Sequence, residues 1–201
     1  MSTFALVMLA AATFQPPRLT YIKLDPVPYG ARAAGVVAVE ASVSASGAVD
    51  GVRTIKSVEP FTALMTGGAS SWTFEPARDG DQPVACHQLM LGIFRPAMLL
   101  YPAPPPPEPK DYPLSDDVPR PTKWSMPPYP PNATAGDAIV VVEVDVDDGG
   151  AVTGTRVLTS VPGYDDAALG AARQWAFKPA TRANRSVRSR VIMAFYFRQP
   201  L

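Results

Sequence analysis

The feature that most constrains this chain is an internal repeat. Trp72-Thr73-Phe74-Glu75-Pro76-Ala77 returns as Trp175-Ala176-Phe177-Lys178-Pro179-Ala180, an offset of 175 − 72 = 103 residues. The same offset carries Val37, Val39, Glu40 and Val43 onto Val140, Val142, Glu143 and Val146. It also carries Gly47-Ala48-Val49 onto Gly150-Ala151-Val152, Ser57-Val58 onto Ser160-Val161, and Phe94-Arg95 onto Phe197-Arg198. One gapless offset through an alternating segment, a glycine turn, a tryptophan motif and an aromatic segment marks a duplicated domain, not a short solenoid unit. The chain then divides into a first copy at 28–95, a Pro-rich linker at 96–128 and a second copy at 129–201. Copies of roughly 70 residues bury only about 60% of their unfolded surface. The offset and the proline break predict that each copy folds alone.

Each copy reads as strand, hairpin, strand, helix, strand, which gives an α+β fold: a three-stranded antiparallel sheet with one helix packed on it. Val140, Val142, Val144 and Val146 alternate with Glu143 and Asp145, the pattern of a half-buried strand. Asp147-Asp148-Gly149-Gly150 and Ser46-Gly47 are the hairpin turns, where glycine supplies a positive φ. Asp165 is placed to cap the second helix, with Tyr164 and Leu169 as its hydrophobic staple. The first helix, expected from Thr62 to Trp72, contains Gly67-Gly68 and is expected to be shorter or bent. Trp72, Phe74, Trp175 and Phe177 are expected core anchors. The last strand splits by parity. Val187, Val191, Met193, Phe195 and Phe197 suit packing under a helix, while Arg188, Arg190, Ile192, Ala194 and Tyr196 share the other face. In the first copy that other face carries Leu89, Leu91 and Ile93, too apolar for solvent, so the other copy or the linker must cover it.

Composition narrows the function. Eighteen basic residues balance eighteen acidic ones, so no basic stripe for nucleic acid is present. Cys86 is the single cysteine and His87 the single histidine. They exclude an intrachain disulfide and a multi-cysteine metal site, and as strand neighbours they point to opposite faces. No P-loop, HExxH or GxSxG motif occurs. The acidic turn at Asp147-Asp148 lacks EF-hand spacing and reads as a solvated hairpin tip. We therefore expect no catalytic activity, no metal and no cofactor. The stretch 96–131 holds over half of the 24 prolines, including Pro104-Pro105-Pro106-Pro107, and reads as a semi-rigid spacer. Residues 1–14 are apolar from Phe4 onward, too few to span a bilayer, and resemble a secretory signal with a cleavable Ala10-Ala11-Ala12.

Several ordered pieces of the second copy together resemble the C-terminal domain of the TonB/TolA energy-transducer family. These are Tyr129-Pro130, a Val-rich strand before a Gly-rich hairpin, Ser160-Val161-Pro162 before the helix, Trp175-x-Phe177-x-Pro179-Ala180 and the aromatic final strand. The first copy is a divergent second example, with Tyr29-Gly30 in place of Tyr-Pro. The resemblance implies a periplasmic, exported protein. It implies that the final strand, Val187–Phe197, receives a peptide of an outer-membrane transporter or other envelope protein, with Tyr129 and Pro130 near it. Strand addition fits a three-stranded sheet, whose outer strands leave unpaired backbone groups. On this reading the chain is a transport-associated adaptor or energy-transducer relative, with no small-molecule substrate. The alternative is a structural or assembly scaffold of the envelope without transport coupling. A homodimer is left open.

Overall fold

The computed structural model describes residues 14–26, 34–95, 113–131, 133 and 136–199. The apolar segment before Phe14, the Pro28-Tyr29 start of the first copy and residues 96–112 of the linker lie outside the described residues. The first copy contributes β1 (Phe14–Gln15), β2 (Arg18–Tyr21), β3 (Gly35–Val43), β4 (Val49–Lys56), α1 (Thr62–Thr66), β5 (Thr73–Glu75), β6 (Ala77–Asp79), β7 (Gln82–Val84) and β8 (Cys86–Phe94). The second contributes β9 (Arg120–Lys123), β10 (Ala138–Val146), β11 (Val152–Thr159), α2 (Asp165–Ala172), β12 (Ala176–Lys178), β13 (Ala180–Arg182), β14 (Arg185–Val187) and β15 (Ser189–Phe197).

The repeated motifs are tied together by one local device. Gly47 and Gly150 sit in the hairpin turns at φ +87° and +90°, a region that L side chains rarely adopt. Their carbonyls accept hydrogen bonds from the Phe74 and Phe177 amides at 2.9 and 3.0 Å. A Cβ on either glycine would lie about 2 Å from the carbonyl oxygen of that same phenylalanine. The turn and the Trp-x-Phe segment therefore dock backbone to backbone, and only glycine allows it. The tryptophan two residues earlier packs inward, with Trp72 1% and Trp175 3% exposed. The indole of Trp72 donates to the Lys23 carbonyl at 3.1 Å and that of Trp175 to the Ser125 carbonyl at 2.9 Å.

Those two acceptors belong to segments that the sequence reading left outside the copies. β2 pairs with β5, and β9 pairs with β12 in the same way. What reads as the end of a linker is, from residue 113 on, a lead-in strand of the second copy. Its Leu114 and Val118 are buried. The lead-in before β3 plays the same part for the first copy.

The expectation of two separate three-stranded sheets needs correcting. A single six-stranded sheet runs β11-β10-β15-β8-β3-β4. Its inner junction is the parallel pair β15–β8, with Val191 opposite Leu89 and Tyr196 opposite Phe94. The pairing offset is 191 − 89 = 102 residues, one less than the repeat. Because strand side chains alternate in direction, this one-residue difference puts equivalent residues on opposite faces. Phe94 joins the core under α1, while Phe197 joins the core under α2. The order is palindromic, so the copies are related by an approximate two-fold axis along the central strands, with one helix on each face.

Each core is consequently built from both copies. On the α2 face, Val140, Val142, Val144, Met193 and Phe195 pack with Val36, Ala38, Leu89, Leu91 and Ile93 of the first copy. On the α1 face, Val37, Val39, Met90 and Phe94 pack with Val141, Ile192, Ala194 and Tyr196 of the second. This explains the apolar Leu89, Leu91 and Ile93, which lie under the other copy's helix and lead-in. The helices differ as the glycines predict. α1 spans five residues, with Gly67 at its C-cap and a 3-10 turn following, whereas α2 spans eight. Tyr164, not Asp165, is the N-cap of α2, and the helix has no side-chain cap. The Asp165 carboxylate instead accepts from the Val161 amide and the Ser160 hydroxyl, closing the loop ahead of the helix.

Candidate partner-binding edge

The residues expected to receive a partner lie mostly inside the sheet. β15 is paired antiparallel to β10 on one side and parallel to β8 on the other, so its backbone edge is filled by the first copy. Ile192, Ala194 and Tyr196 are at most 2% exposed and pack in the α1-side core, where the Tyr196 ring stacks on Phe94 at 4.2 Å. Burial holds the Tyr196 hydroxyl well above the ordinary phenol range. Arg190 is tied inward, donating to Asp145 Oδ1 at 2.7 Å and to the Pro16 carbonyl at 3.0 Å. Arg188 precedes β15 and is exposed.

Tyr129 and Pro130 are half-buried, at the opening of the second copy. The Tyr129 ring meets Tyr164 edge-on at 5.7 Å, and the two hydroxyls lie 2.9 Å apart beside the Gly136 carbonyl. The Arg95 guanidinium of the first copy lies over the same ring at 5.7 Å. Burial and the Tyr129 hydrogen bond push the Tyr164 hydroxyl above its ordinary value. These contacts make the Tyr-Pro segment a packing element of the second copy. Trp72, Phe74, Trp175 and Phe177 are all buried, the place the sequence assigned them.

The edges without a described strand partner are those of β4 and β11. They are not alike. Beside β11 an open groove of about 330 Å³ is lined by Leu19–Ile22 of the first lead-in and Arg156–Thr159 of β11. Tyr21 on its rim is 52% exposed. At the equivalent place beside β4, the Lys56 ammonium sits 4.9 Å over the Trp124 ring, which also packs against Trp175 at 5.1 Å. Beside β4 the lead-in's Trp124 therefore meets the Lys56 side chain, and beside β11 there is a slot.

A buried carboxylate lies behind each edge. Glu40 is 3% exposed; Arg53 donates to its Oε1 at 2.7 Å, and Ser115 donates its amide to Oε2 at 2.8 Å and its hydroxyl to Oε1 at 2.9 Å. Burial by itself would raise this carboxyl, but the Arg53 and Ser115 hydrogen bonds outweigh it and hold it below the ordinary value. Glu143 is 2% exposed and receives Arg156 on Oε1 at 2.9 Å. Burial also pushes the Cys86 thiol up to about 12, an inert thiol in a strand. His87 is engaged by Asp117, through its ring at 2.8 Å and its amide at 3.0 Å. Among the described residues no group of three or more His, Cys, Asp or Glu side chains is placed to hold a metal ion. None of the described helices is long and apolar enough to cross a membrane.

The lead-in, the Gly–Phe docking and the Tyr129–Tyr164 pair together define the second copy as a unit. Residues 124–199 match the family model of the Gram-negative bacterial TonB protein C-terminal. The match covers the second copy from Trp124, inside its lead-in, to Gln199, beyond the last strand. No curated protein matches the chain. The second copy is thus similar to that C-terminal domain, on a mostly β, mixed α and β fold. Sequence reasoning missed the β11 groove because its two walls come from different copies. The exposed Tyr21, in a segment set aside as a lead-in, was the available signal.

Proposed function

We propose that this chain is a periplasmic, TonB-like adaptor that takes an extended peptide from an outer-membrane transporter or other envelope partner by strand addition, without catalysis. The observation that carries the reading is the β11 edge, which has no strand partner among the described residues and lies beside a groove, in the copy whose residues 124–199 match the TonB C-terminal model. An added strand there would bond to the β11 backbone, and Leu19, Tyr21 and Val157 would contact its side chains. Addition at β15, the strand the resemblance points to, would require β8 to leave, since β8 already pairs there.

The alternative, a scaffold without transport coupling, is favoured by that same β15–β8 pairing, because the duplicated copy satisfies the edge internally. Amide spectra of the full chain titrated with N-terminal peptides of outer-membrane transporters separate these readings. Shifts confined to β11 and Arg18–Ile22 support adaptor function at the outer edge. Shifts along both β15 and β8 mean that the peptide displaces the first copy. No binding by a folded chain leaves the scaffold reading ahead.

A further inference from the structure

The groove beside β11 has a strand on either side. Residues 156–159 of β11 line one wall, and residues 19–22, which begin in β2, line the other. Among the described residues each strand is paired on one side only, β11 with β10 and β2 with β5. Both walls bring apolar side chains to the α1-side core. Leu19 is buried in it, and Ile22 and Leu158 pack against it. Arg156 is the one charged side chain among those lining the groove. It is half exposed and binds Glu143 Oε1 through Nε at 3.3 Å and Nη2 at 2.9 Å, while its Nη1 has no bond among the described residues.

The repeat supplies a comparison at the equivalent place beside β4, where the chain carries features that discourage an added strand. Leu19 corresponds to Pro121 (121 − 19 = 102), and Pro121 pairs with Phe177 as Leu19 pairs with Phe74. Proline has no amide to offer a further strand, and natural edges use it for that purpose. Ile22 corresponds to Trp124 (124 − 22 = 102) and Thr159 to Lys56 (159 − 56 = 103). The Lys56 ammonium lies over the Trp124 ring, and a lysine on an edge is a further deterrent. Beside β11 all three deterrents are gone. Pro121 also fixes a direction, because a proline stays in a ladder only with its nitrogen turned away from the paired strand. By the same register the Leu19 amide turns away from β5, and Leu19 lines the groove.

We propose that the groove takes an extended, proline-free peptide segment as a strand between β11 and β2, paired to both at once, with an acidic side chain beside Arg156. The inference rests on the adaptor reading above and adds the second wall. The ligand then ties the two copies together, since β11 belongs to the second and β2 to the first. It also sets the class of peptide. On a single edge only alternate residues face the partner strand, so proline is tolerated at the others. Between two edges every residue donates to one side or the other, and proline is tolerated at none.

The test is an N-methyl scan of the ligand against the full, unaltered chain. The probe is a short peptide that alternates threonine and valine behind a single glutamate, blocked at both ends. One backbone nitrogen is methylated at a time, at successive positions. Each methyl group is expected to weaken binding by about tenfold, at neighbouring positions alike. In the complex the amides of both Leu19 and β11 should exchange more slowly than in the free chain. Weakening at every second position only, with slower exchange on β11 and none at Leu19, overturns the two-sided strand and leaves addition at β11 standing. No binding of the unmethylated probe to the folded chain overturns the inference together with the reading on which it rests.

Discussion

The two copies make the same fold with unequal means. The second has the longer helix, the double-tyrosine contact at its start and the match to a known family. The first has a five-residue helix broken at Gly67-Gly68, and its largest buried groups lean on the second copy. Phe61 stacks on Phe94 at 4.0 Å, and Phe94 stacks in turn on Tyr196. What the comparison teaches is that duplication here did not give two domains in a row. It gave an internal dimer, whose shared sheet lets the weaker copy borrow packing from the stronger.

The largest effect should come from separating them. Residues 14–95 and 113–199 expressed apart, each with its own lead-in, would each expose one side of a sheet that is covered in the intact chain. The first fragment is expected to remain unfolded and the second to be folded marginally or not at all, judged by amide spectra. Mixing the two should recover dispersed signals. A first fragment with a well-dispersed spectrum on its own would break the comparison.

Next in size are the paired tryptophans. Trp72→Ala and Trp175→Ala each remove a nearly fully buried ring and an indole hydrogen bond, a loss of about 3–5 kcal/mol for the side chain. Because the cores are shared, both substitutions should melt the whole sheet in one transition. Two separate transitions in calorimetry would show that the copies do not cooperate.

A smaller loss is expected at the turn glycines. Gly150→Ala forces a positive φ, worth about 1–3 kcal/mol in backbone strain, and drives a Cβ against the Phe177 carbonyl. Gly47→Ala should cost about as much, because its geometry is the same. Urea midpoints of the two variants check this, and a tolerated change at either site would mean that its hairpin does not dock on the phenylalanine.

The smallest effect is acid sensitivity. The Glu40 carboxyl is held below its ordinary value, so its ionised form is bound more tightly in the folded state. That stabilisation is present above the ordinary carboxylate value, about 4.5, and is lost as pH falls through the lowered folded value. Ser115→Ala, which removes one of its donors, should shrink the fall in melting temperature on acidification. An identical pH profile for the variant and the parent chain would remove Ser115 from the account.

Much of this was legible in the sequence. The repeat offset placed all six long strands, both hairpin turns and the buried Trp-x-Phe motifs, since each follows from local periodicity and from glycine's freedom at positive φ. The apolar Leu89, Leu91 and Ile93 even announced that something must cover them. What could not be read was the junction. Whether two repeated strands pair, and in which register, depends on edges meeting in space. A shift of one residue between repeat and pairing decides which face each helix takes. The free edge expected at β15 disappeared for that reason. The prolines around Arg18 and Arg120 hid the two lead-ins, because a Pro-rich stretch reads as spacer until a strand is seen to pair with it.

The central claim is that β15 and β8 form the middle of one sheet. Amide hydrogen exchange of the full chain tests it most directly. Both edges of β15 are hydrogen-bonded, so all its central amides, Val191 to Tyr196, should exchange slowly, together with those of β8 and ahead of the outer strands β4 and β11. Fast exchange at every second residue of β15, the signature of a strand open on one side, would contradict it.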